Sequence, residues 1–141
     1  MKKYCNLAFL YAMAAIACGV FYREFTKFYS FTGRTTLAFT HLHLFALGTL
    51  MFLLVALFAQ STDLTSQKGF RLFMILYNIG LPFMTVMFFV RGIVQVRQTA
   101  LSAGASAAIS GMAGISHTLL TVALIGLFVA LRACKPQRSD A

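Results

Sequence analysis

Three histidines stand out in a largely apolar chain: His41 and His43 in "TTLAFTHLHLFALGTL", and His117 in "AISGMAGISHTLL". Imidazole is costly to place in hydrocarbon, so a histidine inside an apolar run is by default a functional candidate. A neutral imidazole donates from one ring nitrogen and keeps a lone pair on the other. Two such rings facing each other can hold a metal ion or the iron of a haem. A plainer reading stands beside this one, in which each ring bonds a nearby carbonyl or a hydroxyl such as that of Ser116 or Thr40. The choice between them depends on the elements that carry the rings.

Of the 141 residues, 60% are apolar, 15 are phenylalanine and only 11% are charged. That is too little polar surface to coat a soluble globule. Four apolar stretches, 4–22, 37–59, 70–90 and 108–131, each approach or exceed the roughly 20 helical residues that cross a hydrocarbon core about 30 Å thick. The connections 23–36, 60–69 and 91–107 carry most of the charge and leave no chain for a separate soluble domain. The expected fold is all-α, a single domain over 1–141. It is an integral membrane four-helix bundle, threaded up-down-up-down, with a short basic C-terminal tail.

With the N-terminus in the cytoplasm, Lys2, Lys3, Lys68, Arg71, Arg132, Lys135 and Arg138 lie inside, against Arg23, Lys27, Arg34, Arg91 and Arg97 outside. This bias favours both termini on the cytoplasmic side of a cytoplasmic (inner) membrane. The net charge of +9 is scattered over four membrane-flanking segments rather than gathered on one face. Its expected partner is therefore the anionic headgroups of the lipid bilayer, and not nucleic acid. The N-terminal "MKKYCNLAFLYAMAAIAC" has the basic start and the Ala15-Ile16-Ala17 before Cys18 of a signal peptide. Against cleavage, the apolar run continues to Tyr22, and Ala8, Ala12, Ala15 and Gly19 form one stripe suited to close helix contact. Cys5, Cys18 and Cys134 form no C-x-x-C pair and are read as small core fillers.

Threading puts His41, His43 and His117 very roughly 6, 9 and 13 Å below the same surface. Positions i and i+2 are about 200° apart on a helix, so only one of His41 and His43 can face the bundle. His41 shares its face with Ala38, Phe45 and Gly48, and His43 shares its face with Leu47, Leu50 and Leu54. Small residues mark close approach, so His41 is expected to point inward and His43 to be interfacial, with His43 as the second choice. On span four, Ser110, Ala113 and Gly114 leave the turns before His117 bare. In simple threading spans two and four are diagonal, about 14 Å apart. That is too far for a shared hydrogen bond and suits a haem iron between two axial imidazoles. His41 and His117 are thus the expected haem or metal ligands. Arg23 or Arg91, at the same surface, could pair with the propionates. Taken singly, these cations could instead snorkel to lipid phosphates, with Glu24 neutralising one of them.

Span three carries "YNIGLPFMT". Pro82 cannot donate to the Asn78 carbonyl, so a kink eased by Gly80 is expected. Asn78 and Thr85 could bond across helices, with Tyr77 in the same contact, or line a polar path.

The blocks "GVFYREFTKF", "HLHLFALG", "YNIGL" with the following "VRG", and "AISGMAGISH" resemble an uncharacterised bacterial family of small four-helix membrane proteins, classed as a domain of unknown function. The resemblance covers nearly the whole chain. It implies four retained spans and brings no established activity. The second span is also similar to the haem-ligand helices of respiratory oxidase catalytic subunits, although the other metal-ligand histidines of those proteins have no counterpart here.

Several enzyme classes can be set aside. Glu24 and Asp63, the only carboxylates outside the tail, fall on opposite sides of the membrane, which excludes paired-acid catalysis. There is no phosphate loop, H-E-x-x-H or nucleophile elbow. Ser116 and His117 diverge by about 100° and form no dyad. Three readings remain: a haem- or metal-binding redox component with a respiratory or redox membrane partner, an accessory membrane protein without cofactor, and a small permeation protein that would need to form a homo-oligomer. No complete catalytic motif is present, and the expectation is a protein that is not an enzyme by itself.

Overall fold

A computed structural model describes residues 1–136; Arg138 and the remainder of the basic tail lie outside them. Four helices are long and apolar enough to cross a membrane: Lys2–Phe28, Leu37–Ser61, Lys68–Val96 and Ala103–Ala133. They are called spans one to four. No strand is present among the described residues, and the protein is an all-α, multi-pass membrane bundle.

Each span matches an apolar stretch of the sequence, and all four overrun it at one or both ends. Span one continues through Arg23, Glu24 and Lys27 to Phe28, because no Gly or Pro interrupts that polar turn. At 27 residues it is about 40 Å long, more than the hydrocarbon thickness requires. Span four begins five residues before the sequence boundary, where the Ser102 hydroxyl accepts from the Ala105 N–H and caps the first turn.

Spans one and two pack closely, as do spans three and four. Span three also touches the other two. Tyr4 meets Phe70 edge-on at 5.7 Å between ring centroids, and Phe21 meets Phe89 at 5.2 Å. Small residues sit where backbones approach. A Cβ added to Gly69 would come within 2.6 Å of the Gly126 carbonyl oxygen, and one on Gly48 within 2.6 Å of the Tyr11 Cβ. In lipid, such close packing replaces the hydrophobic drive that folds soluble bundles. The centre is aromatic: Phe52, Phe73 and Tyr77 are fully buried, and the Tyr11 ring stacks on Phe52. Such pairs contribute about 0.5–1.5 kcal/mol each beyond burial.

Span two is not a uniform α-helix. Residues Leu44–Leu50 form a π-helical segment between the α-helical parts Leu37–His43 and Met51–Ser61. The wider turn redirects backbone groups. There the Leu47 carbonyl accepts from the Tyr77 hydroxyl at 2.9 Å.

At the end formed by the connection between spans two and three, the C-terminal end of span four is tied down by Asp63. The Asp63 N–H donates to the Lys135 carbonyl, and its carboxylate accepts from the Lys135 N–H at 2.7 Å and from Gln67 Nε2 at 3.0 Å. Span two and span four residues there share one apolar cavity of about 210 Å³, between Leu54, Phe58, Leu127 and Leu131.

Candidate functional site

The three histidines end in two different places. His41 is half-buried against span one. A Cβ on Gly19 would lie 3.7 Å from the His41 Cβ, and the Tyr22 ring is nearly parallel to the imidazole at 6.4 Å. Its Nδ1 is buried without a hydrogen-bond partner. His41 and Gly48 do share a close-packing face, but that face meets span one and not span four.

His43, read from the sequence as interfacial, turns toward span three. Its ring stands edge-on to Phe88, with centroids 4.9 Å apart and an interplanar angle of 70°. His117 meets the same ring from span four, at 6.3 Å and 68°. His43 and His117 are therefore the pair that the fold brings to one level. His117 is exposed rather than interior, so the pair lies at the lateral surface of the bundle over span three.

The two imidazoles are held alike. His43 Nδ1 lies 2.8 Å from the Phe39 carbonyl oxygen, and His117 Nδ1 lies 2.8 Å from the Ala113 carbonyl oxygen. A carbonyl can only accept, so each Nδ1 carries the proton. The neutral ring then keeps its lone pair on Nε2. Metal-ligating histidines are commonly fixed by a bond of this kind from the other ring nitrogen to a backbone carbonyl.

The position of His43 follows from a latch at the start of span two. The Thr35 hydroxyl donates to the Gly92 carbonyl at 3.1 Å, and the Thr36 hydroxyl donates to the Phe88 carbonyl at 2.9 Å. The Thr36 N–H donates to Gln95 Oε1 at 2.8 Å. Span two is thus registered against the very turn of span three that bears Phe88. Residues 1–134 match the family model described as "Protein of unknown function (DUF2871)". The chain belongs to the DUF2871 family. No curated protein and no solved structure matches it.

In this DUF2871 protein, Arg91 is one turn beyond Phe88 on the same side of span three and donates from its guanidinium to the Ser110 hydroxyl of span four. Ser110 is two turns before His117. Arg91 therefore lies toward the membrane surface from the imidazole pair. Arg23 is elsewhere. It is highly exposed and pairs with Glu24 at 3.8 Å, so it joins neither His43 nor His117 in any described contact. On the His117 side, a Cβ added to Gly111 or Gly114 would meet nothing within 4 Å, which leaves the helix surface before this imidazole bare.

Among the described residues no group of three or more His, Cys, Asp or Glu is placed to hold a metal ion. Two imidazoles leave a tetrahedral ion two donors short. They suffice for a haem, whose iron already has four equatorial nitrogens and needs only axial ligands. Of the two span-two histidines it is His43 that shares the Phe88 ring with His117. Sequence reasoning missed Phe88, one of 15 phenylalanines. The spacing Phe88-x-x-Arg91 was the available signal.

Proposed function

We propose that this protein is a haem-binding redox component of the bacterial cytoplasmic membrane, in which His43 and His117 would hold the iron. The observation that carries the reading is the shared Nδ1–H to carbonyl bond of the two imidazoles, which presents two Nε2 lone pairs beside one phenylalanine. A bound haem would supply one-electron chemistry.

The residues around it have separable tasks. The Phe39 and Ala113 carbonyls fix the tautomers and raise the basicity of the rings. The Phe88 ring stands edge-on to both imidazoles. Gly111 and Gly114 keep side chains out of the space before His117. Arg91 offers a planar cation that can take a carboxylate, such as a haem propionate, in two hydrogen bonds. The basic residues at the two ends favour cytoplasmic termini, which puts this site in the outer leaflet and its electron partner in the same membrane.

The test is absorption of the protein purified from cells supplied with haem. A Soret band in the expected one-to-one ratio to protein supports the reading. Colourless protein, still colourless after haemin is added, overturns it and leaves an accessory membrane protein.

A further inference from the structure

A groove of about 430 Å³ runs between spans one and three, with Leu10, Tyr11, Leu44, Asn78, Pro82 and Val86 in its walls. Leu10 and Val86 are 64% and 54% exposed, so its mouth opens sideways toward lipid. Pro82 is the middle residue of span three, about 20 Å from either end. The groove therefore lies near the bilayer centre.

Its walls are apolar, but Asn78 is not fully satisfied there. Pro82 has no N–H, so the Asn78 carbonyl lacks its intrahelical donor. One hydrogen of Asn78 Nδ2 goes to the Met74 carbonyl at 2.7 Å, and the other has no partner among the described hydrogen bonds. Tyr11 donates to Asn78 Oδ1 at a long 3.4 Å. Thr85 offers its proton to Leu81 instead. Asn78 thus brings to the groove an Nδ2 hydrogen with no described partner and a backbone carbonyl that Pro82 cannot serve, in a medium where each unmet group is expensive.

An acyl chain can satisfy neither group. A phospholipid head, which can, is held at the interface about 15 Å away. The complementary ligand is a molecule soluble in hydrocarbon that carries a ring hydroxyl, able both to donate and to accept. We propose that this groove binds the head of an isoprenoid quinol, whose O–H donates to the Asn78 carbonyl while its oxygen accepts from Nδ2. The quinone, which can only accept, binds more weakly. Two of the groove's lining residues, Leu44 and Thr85, are within one turn of His43 and Phe88 along their helices. Its occupancy does not depend on haem.

The test uses the full chain in nanodiscs under anaerobic conditions, with decylubiquinol, decylubiquinone and decylbenzene as probes and empty nanodiscs as the blank. One decylubiquinol should bind per chain, the quinone several-fold more weakly, and decylbenzene only at the blank level. Asn78→Leu should weaken quinol binding about tenfold or more, as loss of buried hydrogen bonds implies. Pro82→Ala, which returns an N–H to the Asn78 carbonyl, should also weaken it and serves if Asn78→Leu does not fold. His43→Ala should leave it unchanged, so that failure of the haem reading and failure of this site are distinguishable. Equal binding of decylbenzene, or quinol binding insensitive to Asn78 and Pro82, overturns the proposal and makes the groove a seat for hydrocarbon alone.

Discussion

Gly92 lies so close to Leu37 that a Cβ placed on it would come within 2.5 Å of the Leu37 Cγ and 2.8 Å of its backbone nitrogen. This contact closes the latch in which Thr35 and Thr36 bond the backbone of span three. Gly92→Ala should therefore push the start of span two away and destabilise the bundle by about 1–3 kcal/mol, the usual cost of overpacking. Thermal unfolding in detergent measures this. Because the latch also registers His43 against Phe88, haem uptake should fall in the same variant.

Arg91 and Arg23 separate anion recognition from general surface charge. Arg91→Ala should weaken haem binding about tenfold, as expected for losing a charge-assisted hydrogen bond. Arg23→Ala removes an exposed ion pair and should leave affinity unchanged. Haemin titration of both variants decides, and equal losses would reduce Arg91 to a bulk-charge effect.

The open surface beside His117 can be filled without touching the fold. A side chain at Gly114 meets nothing within 4 Å, so Gly114→Leu should fold normally, and its better helix propensity should if anything strengthen span four. It should nevertheless impair haem binding by occupying the space before the imidazole. Unfolding temperature and pigment content, measured on the same sample, should move independently.

The Asp63 clamp is far from the histidines and tests the independence of the two ends. Asp63→Ala leaves the Lys135 N–H and the Gln67 amide without their acceptor and should cost about 1–3 kcal/mol. The absorption spectrum should not change.

Hydropathy alone made the four spans legible, because about 20 apolar residues in a row have few uses outside a bilayer. The helix ends were less so, since polar residues such as Arg23 and Lys27 continue a helix as readily as they leave it. The histidine assignment shows a different limit. Sharing of a face by His41 and Gly48 is visible at 100° per residue. Which neighbour that face meets is a property of the whole bundle, and here it is span one. The π-helical turns at Leu44–Leu50 add to the difficulty, because a change of helical pitch rotates everything before it and no residue type announces it. Asn78 and Pro82 were legible as a pair for the opposite reason, since the missing N–H is covalent chemistry.

The decisive measurement is the absorption spectrum of three single variants, His41→Ala, His43→Ala and His117→Ala, each purified from haem-supplied cells beside the parent protein. The account predicts a Soret band retained in His41→Ala and shifted or lost in both His43→Ala and His117→Ala. A band lost with His41 and kept without His43 would contradict it.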